Sequence, residues 1–377
     1  MAGQRTRHET VVVGGGQAGL AIGYFLQRQG RDVVILDAHA RVGDSWRHRW
    51  RSLRLYSPAR VDALPGMPFP APPWSYPTAS EMADYLEAYA RRFQLPVLNG
   101  VRVGGVTYED DRFVVDAGER AFEADNVVVA TGVFQHDRPH VPELAAQLSA
   151  EIVQLHSADY RGPEQLQTGP ALVVGAAHSG GDIAFELAQA GHRVVLSGRD
   201  TGQVPFDIES PRARLLFPLL RVAATRVLTV STPLGRRARP HIRAHGGPLL
   251  RVKRADLQAA GVERALERTV GVREGRPVLA DGRVLDVANV VWCTGFRNDY
   301  GWLRVPLPLD ADGYPEQRRG AVTGIPGLYV VGMPFLHSFA SMLILGAGRD
   351  GRRIAEQIVA RARTRGPQRR HAGVRAA

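Results

Sequence analysis

Two glycine-rich turns carry the residues best placed for chemistry. The first, Gly14-Gly-Gly16-Gln-Ala-Gly19, has the spacing of a dinucleotide-binding turn. Gly14 permits the tight turn, Gly16 lets a pyrophosphate approach the backbone, and Gly19 lets helix and strand pack closely. Asp37 follows about 20 residues later, placed to accept hydrogen bonds from a ribose diol. The second turn, Gly175-Ala-Ala177-His-Ser179-Gly180, has Ala where the second Gly of the pattern admits the pyrophosphate. The strand expected after it ends in Ser197-Gly-Arg199 instead of an acid. An acid would repel a 2′-phosphate, whereas Ser197 and Arg199 can bind one, which favours NADPH over NADH.

These turns need strands and helices to hold them. Glu9–Val13 is a β-branched run of the buried parallel-strand type, and the apolar pattern from Leu20 to Leu26 is helical, closed by Gly30. Asp32 to Leu36 is the next strand. The unit repeats as a strand at Ala171–Val174, a helix from Asp182 to Ala190 stopped by Gly191, and a strand from Arg193 to Leu196. Three further strands lead into small-residue turns: Val127 to Thr131-Gly132, Val290 to Gly295, and Gly327 to Gly332. A helical stretch, Gly351 to Ala360, follows the last. The fold class is therefore α/β, with two Rossmann-type units and two nucleotide sites. The segment from Pro205 to Pro248 interrupts the rhythm with leucine clusters among arginines. It reads as a helical insert covering the second unit, the alternative being a basic amphipathic contact with a membrane surface.

Composition narrows the class. At 377 residues, 44% hydrophobic and 23% charged, the chain suits roughly two domains of about 150 residues and excludes disorder, collagen and coiled coil. Its 1 Cys, Cys293, forms no intramolecular disulfide, thiolate cluster or CxxC pair, and a disulfide reductase is excluded with them. The net charge of +11 raises the question of nucleic acid. Lys253 is the only lysine, however, and abundant Arg, Gly, Pro and Ala share GC-rich codons, so no nucleic-acid partner is expected. Arg361 to Ala377 carries no acid and reads as a disordered basic tail. Met1 to Glu9 is polar, unlike a signal peptide, and a cytoplasmic location is expected. Thr10–Gln27 and Ala321–Gly348 lack formal charge, but glycines and prolines break both, so no transmembrane span is expected. His136, Asp137 and His140 flank Pro139 in a loop, and no metal site is assigned to them.

Further motifs carry a resemblance: Gly43-Asp-Ser-Trp46-Arg47, Leu53-Arg-Leu-Tyr-Ser-Pro58, Tyr76-Pro-Thr to Tyr85-Leu, Ala130-Thr-Gly132, His156-Ser-Ala-Asp-Tyr160, Trp292-Cys-Thr-Gly-Phe296 and Gly327 to Gly332. With the two turns, these make the chain resemble the flavin-containing monooxygenase family, in a bacterial branch related to the plant auxin-forming flavin monooxygenases. The resemblance covers most of the chain, least so the insert.

It implies a discontinuous FAD domain, 1–163 plus 297–360, holding an NADPH domain, 164–296, that contains the insert 205–248. It assigns Gly14, Gly16, Gly19 and Asp37 to the FAD adenylate half, Trp46 and Arg47 to the flavin side, and Thr131 and Gly132 to the pyrophosphate turn. Gly175, Ser179, Gly180 and Arg199 fall to NADPH, with Ser197 beside them. Ser57, in the stretch where several relatives carry an Asn near the flavin, and His337, after Gly332-Met-Pro-Phe, are the candidate catalytic residues. The implied reaction uses NADPH, FAD and O2 to oxygenate a small molecule through a peroxyflavin. Tyr160-Arg161 stands where Baeyer–Villiger relatives have Trp-Pro, so nitrogen or sulfur oxygenation is favoured over ketone insertion. The rivals are an NADPH-dependent flavin oxidoreductase serving a quinone or protein acceptor, and a redox-sensing nucleotide-binding protein. The sequence leaves substrate and oligomeric state open.

Overall fold

The computed structural model describes residues 5–132 and 138–365. The chain opens with β1 (Arg5–Val13), α1 (Gln17–Arg28), β2 (Val33–Asp37), α2 (Asp44–Arg47), α3 (Ala79–Arg92) and β3 (Val97–Asn99). An antiparallel run of β4 (Gly105–Glu109), β5 (Arg112–Ala117) and β6 (Arg120–Val129) follows. The second unit comprises β7 (Val153–His156), β8 (Ala171–Val174), α4 (His178–Gln189), β9 (Val194–Ser197), α5 (Pro211–Val222), α6 (Pro233–Ala244), α7 (Arg254–Ala259), β10 (Glu263–Ala265), the hairpin β11 (Thr269–Arg273) and β12 (Arg276–Leu279), and β13 (Asn289–Trp292). The chain returns through β14 (Gln317–Arg318), β15 (Ala321–Val322) and β16 (Leu328–Val330) to α8 (Ile344–Arg365).

Each unit is built on a parallel sheet. The first runs β16-β6-β1-β2-β3 and the second β10-β9-β8-β13-β7. Both faces of such sheets are covered, so their strands are continuously apolar. Val11, Val12, Val127, Val128, Leu172 and Val173 are accordingly fully buried.

The structure shifts some expected boundaries. β7 pairs in parallel with β13, so Val153–His156 belongs to the second sheet although it precedes position 164. α4 begins at His178, which puts Ser179 and Gly180 in its first turn instead of in a loop before Asp182. α8 runs on through Arg361 to Arg365, so helix occupies the start of the expected tail, whose remainder lies outside the described residues. His136 and Asp137 lie outside them too. Among the described residues no helix is long and apolar enough to cross a membrane, and no cluster of potential metal ligands occurs.

Candidate active site

The first glycine turn sits where three parallel strands end. Gly14 has φ +112°, and a Cβ there would come within 2.5 Å of the Ala130 carbonyl oxygen at the end of β6. A Cβ at Gly19 would lie 2.0 Å from the Gly14 carbonyl oxygen, so only glycine lets α1 approach the turn. Nothing lies within 4 Å of the Cβ position at Gly16, which leaves a cradle a phosphate can enter at the helix N-terminus. Gly132 and Gly332, both at positive φ, close the far side, with a Cβ at Gly332 coming 3.9 Å from the Gly132 Cα and 3.5 Å from the Ala18 methyl. The site therefore lies beyond the carboxyl ends of the strands, as ligand sites in such sheets do. These features fit a dinucleotide.

Asp37 is buried, and its carboxylate is shared. Oδ2 accepts from the Gly15 amide at 2.7 Å, and Oδ1 accepts from the His39 amide at 2.8 Å and lies 2.8 Å from His39 Nδ1. The hydrogen bond it donates to Asp37 raises the His39 imidazole above its usual value. Asp37 thus fixes the glycine turn, and lone-pair capacity is left on Oδ2. Trp46 donates from Nε1 to Gln17 Oε1 at 3.4 Å, at the head of α1, and packs against the cores of both units. Arg47 turns the other way. Its guanidinium is held by Asp44, Asp84 and Glu87 at 2.8–3.1 Å, so it locks α2 to α3 and is not offered to a flavin.

The two units are stitched at this end. His140 donates to the Gly295 carbonyl and Arg297 to the Arg138 carbonyl, both at 2.9 Å, where the two linkers cross. Tyr56 donates to Asp182 Oδ2 at 2.7 Å, joining a loop of the first unit to α4 of the second. Burial raises both groups, Asp182 less so because the Tyr56 hydrogen bond favours its charged form. Arg251 lies over the Tyr56 ring at 5.8 Å, and the His178 ring stands 5.0 Å from it. Burial pulls His178 down to about 4, so it is neutral at physiological pH. Burial, with Arg161 nearby, lowers Arg49 to about 10. Sequence reasoning missed Arg49, Tyr56, His178 and Asp182 as a group, because only the docking of the units brings them together.

The second turn repeats the logic of the first with one change. A Cβ at Gly175 would lie 2.3 Å from the Cys293 carbonyl oxygen, and one at Gly180 would lie 1.7 Å from the Gly175 carbonyl oxygen. At Ala177 the methyl is met by main chain, since a Cβ on Gly246 would come 2.5 Å from it. Ser197 is fully buried, its hydroxyl donating to the Glu267 carbonyl at 2.9 Å and lying 3.0 Å from Thr269 Oγ1. This corrects its assignment beside the nucleotide and leaves Arg199, which is exposed just past β9. Burial raises the Cys293 thiol, which is therefore protonated and inert.

Ser57 donates to Asp62 Oδ1 at 2.6 Å, and the other oxygen of Asp62 has neither partner nor solvent. Burial lifts this carboxyl to about 7, against the pull of the Ser57 hydrogen bond. Ser57 thus acts on Asp62, a residue that no sequence pattern marks. His337 is half-buried and lowered to about 4 by burial, with Arg353 and Arg349 adding repulsion. Two residues before it, Phe335 sits at φ +54°, a strained conformation for a bulky side chain.

Residues 11–215 match the profile of the family described as Pyridine nucleotide-disulphide oxidoreductase. A CzcO-like oxidoreductase of Geobacillus kaustophilus is 35% identical over 93% of this chain and 98% of its own length. The rice indole-3-pyruvate monooxygenase YUCCA4 is 28% identical over 95% of this chain and 89% of its own. Among solved structures, a flavin-containing monooxygenase from Stenotrophomonas maltophilia superposes with a TM-score of 0.76 at 29% identity, covering 95% of this chain and 99% of that one. The chain therefore belongs to the pyridine nucleotide-disulphide oxidoreductase family and is an oxidoreductase of the flavin monooxygenase type.

Proposed function

We propose that this protein places one oxygen atom of O2 on a small-molecule nitrogen or sulfur nucleophile, consuming NADPH and returning the second oxygen atom as water. FAD and NADPH are the cofactors of its family. The carrying observation is the pair of glycine turns, each at the carboxyl end of its own parallel sheet, in units joined through Tyr56 and Asp182.

When bound, the flavin supplies the oxygen chemistry and the nicotinamide the reducing equivalents. The chain's own residues bind and orient. Gly14, Gly16 and Gly19 bring the amides of α1 to the FAD pyrophosphate, Asp37 takes the ribose, and Thr131 and Gly132 line the turn opposite, with Trp46 beside them. Gly175, Ser179 and Gly180 hold NADPH in the second turn, and Arg199 meets its 2′-phosphate. His337, neutral at working pH, lines the pocket without adding charge. Ser57 positions through Asp62. Burial of the cluster around Tyr56 and Arg49 keeps water from the junction, which an oxygenating site requires. The preference for nitrogen or sulfur over ketones rests on Tyr160-Arg161. There the Tyr160 hydroxyl donates to Glu186 at 2.9 Å and Arg161 holds the Ala158 carbonyl at 2.7 Å.

The test is a panel of amines, thioethers and ketones under labelled O2, scored by product label, NADPH consumed and peroxide released. One labelled atom per NADPH in an amine or thioether product is expected. Rapid quinone reduction with no labelled product would replace this reading with the oxidoreductase one.

A further inference from the structure

The helical insert wears its apolar residues on the outside. On α5, Leu215, Leu219 and Val222 are 80%, 69% and 42% exposed, and their spacing of i, i+4 and i+7 puts them on one face. Leu216 and Leu220 flank that face, and Leu234 on α6 is exposed as well. The inward side of α5 is carried by Ala213, which is buried, and by Phe217, whose ring meets Trp74 edge-on at 5.9 Å. This inverts the pattern of a surface helix, in which the outer face is polar.

The charge around the patch has one sign. No Asp or Glu occurs between Glu209 and Asp256, while Arg212, Arg214, Arg221, Arg226 and Arg237 are all exposed there. Of the acids bordering this stretch, Glu209 is paired with Arg251, and Asp310 and Asp312 hold Arg239 and Arg243; Asp207, an exposed carboxylate just before α5, accepts from the Glu209 amide. The patch is also rigidly mounted. Arg349 donates to the Thr225 carbonyl at 2.9 Å, Val230 donates to the His337 carbonyl at 3.0 Å, and Tyr76 donates to the Ile208 carbonyl. The insert therefore reaches across to the first unit instead of only covering the second.

We propose that this face is a docking surface for an anionic lipid bilayer, with the leucines of α5 entering the headgroup boundary and the flanking arginines meeting lipid phosphates. A leucine face edged by arginines and free of acids is what a helix lying in a membrane interface presents. A second copy of the chain is the poorer occupant, because a two-fold contact would set arginine against arginine with no carboxylate between them.

The test is cosedimentation of the full-length, FAD-loaded protein with vesicles of phosphatidylcholine alone or with about one-third phosphatidylglycerol. Binding to the anionic vesicles is expected, weaker by roughly tenfold without the anionic lipid or in high salt. The double variant Leu215→Glu/Leu219→Glu should lose at least roughly tenfold in binding while keeping its flavin spectrum and NADPH oxidation, since both side chains point into solvent. Arg212→Gln/Arg214→Gln/Arg221→Gln should lose the preference for anionic lipid. Absence of binding to the anionic vesicles overturns the proposal. So does a wild-type dimer in sedimentation velocity that the leucine variant converts to monomer, which would assign the face to a second copy.

Discussion

Asp62 offers the sharpest test of the site. It is fully buried, one carboxylate oxygen has no partner, and its pKa stands near 7 against 3.8 for the free side chain. The folded state therefore holds a proton that the unfolded state has already lost, and folding stability falls as pH rises between these two values. Moving the carboxyl from 3.8 to about 7 corresponds to ~4 kcal/mol, all of it present as a penalty above about pH 8 and nearly absent below about pH 4. Asp62→Asn keeps the shape and the acceptor for Ser57 but cannot ionise. The variant should already exceed the parent by roughly 1.5–2 kcal/mol near pH 5 and by ~4 kcal/mol near pH 8. Urea unfolding of the two proteins at saturating FAD, across pH 5–8, measures the difference and cancels every other titrating group. Parallel curves for parent and variant would refute the argument, because they would mean that Asp62 is ionised throughout.

The remaining expectations concern the second turn and the junction. Arg199→Ala should raise the apparent NADPH constant roughly tenfold or more, the worth of one charge-assisted contact, and leave NADH nearly unchanged. Ser197→Ala should leave both nucleotides unchanged and cost about 1 kcal/mol of stability, since its hydroxyl serves Glu267; steady-state kinetics and urea midpoints separate the two. Tyr56→Phe should destabilise the protein by about 1–3 kcal/mol, more at pH 8 than at pH 5, because the Asp182 carboxyl loses the hydrogen bond that favours its charge. Gly246→Ala should slow flavin reduction by NADPH and lower stability through the contact with the Ala177 methyl, and Ala177→Gly in the same chain should restore both. A double-mutant cycle with no coupling would mean the contact is not formed in solution.

The glycine turns were legible because each glycine answers a local geometric demand that no other residue type meets. Gly14 needs its positive φ, and Gly19 and Gly180 permit carbonyl contacts inside Cβ range. The start of α8 was hidden for the opposite reason. Gly346, Gly348 and Gly351 look like helix breakers, yet they are where α8 presses on the Ala340 carbonyl, Pro65 and the backbone at Ala21. Their cost in helix propensity is met by close packing, which a sequence window does not display. Side-chain direction was equally hidden. Ser197 and Arg47 have the right chemistry for ligands, but one points into the second unit's core and the other into an acidic cluster on α3. Asp62 had no signal at all, since its neighbour Ser57 is a residue type found in any loop.

The two turns also show why matching spacing does not give matching sites. At Gly16 the space in front of the backbone is open, and the amides of α1 face it. At Ala177 the methyl and the His178 ring are both met by Gly246 and Gly247, where added Cβ atoms would come 2.5 Å and 2.4 Å from them. Neither of these two glycines has a positive φ, so close approach, not turn geometry, selects for a missing side chain. Ala177 and Gly246 are then best understood as a pair, the methyl occupying room that the Gly246-Gly247 strap concedes. The strap ends the same insert whose Val230 amide bonds the His337 carbonyl. Main chain therefore connects the mouth of the second turn directly to the segment beside the first, and the insert that looked like a mere cover ties the two sites together.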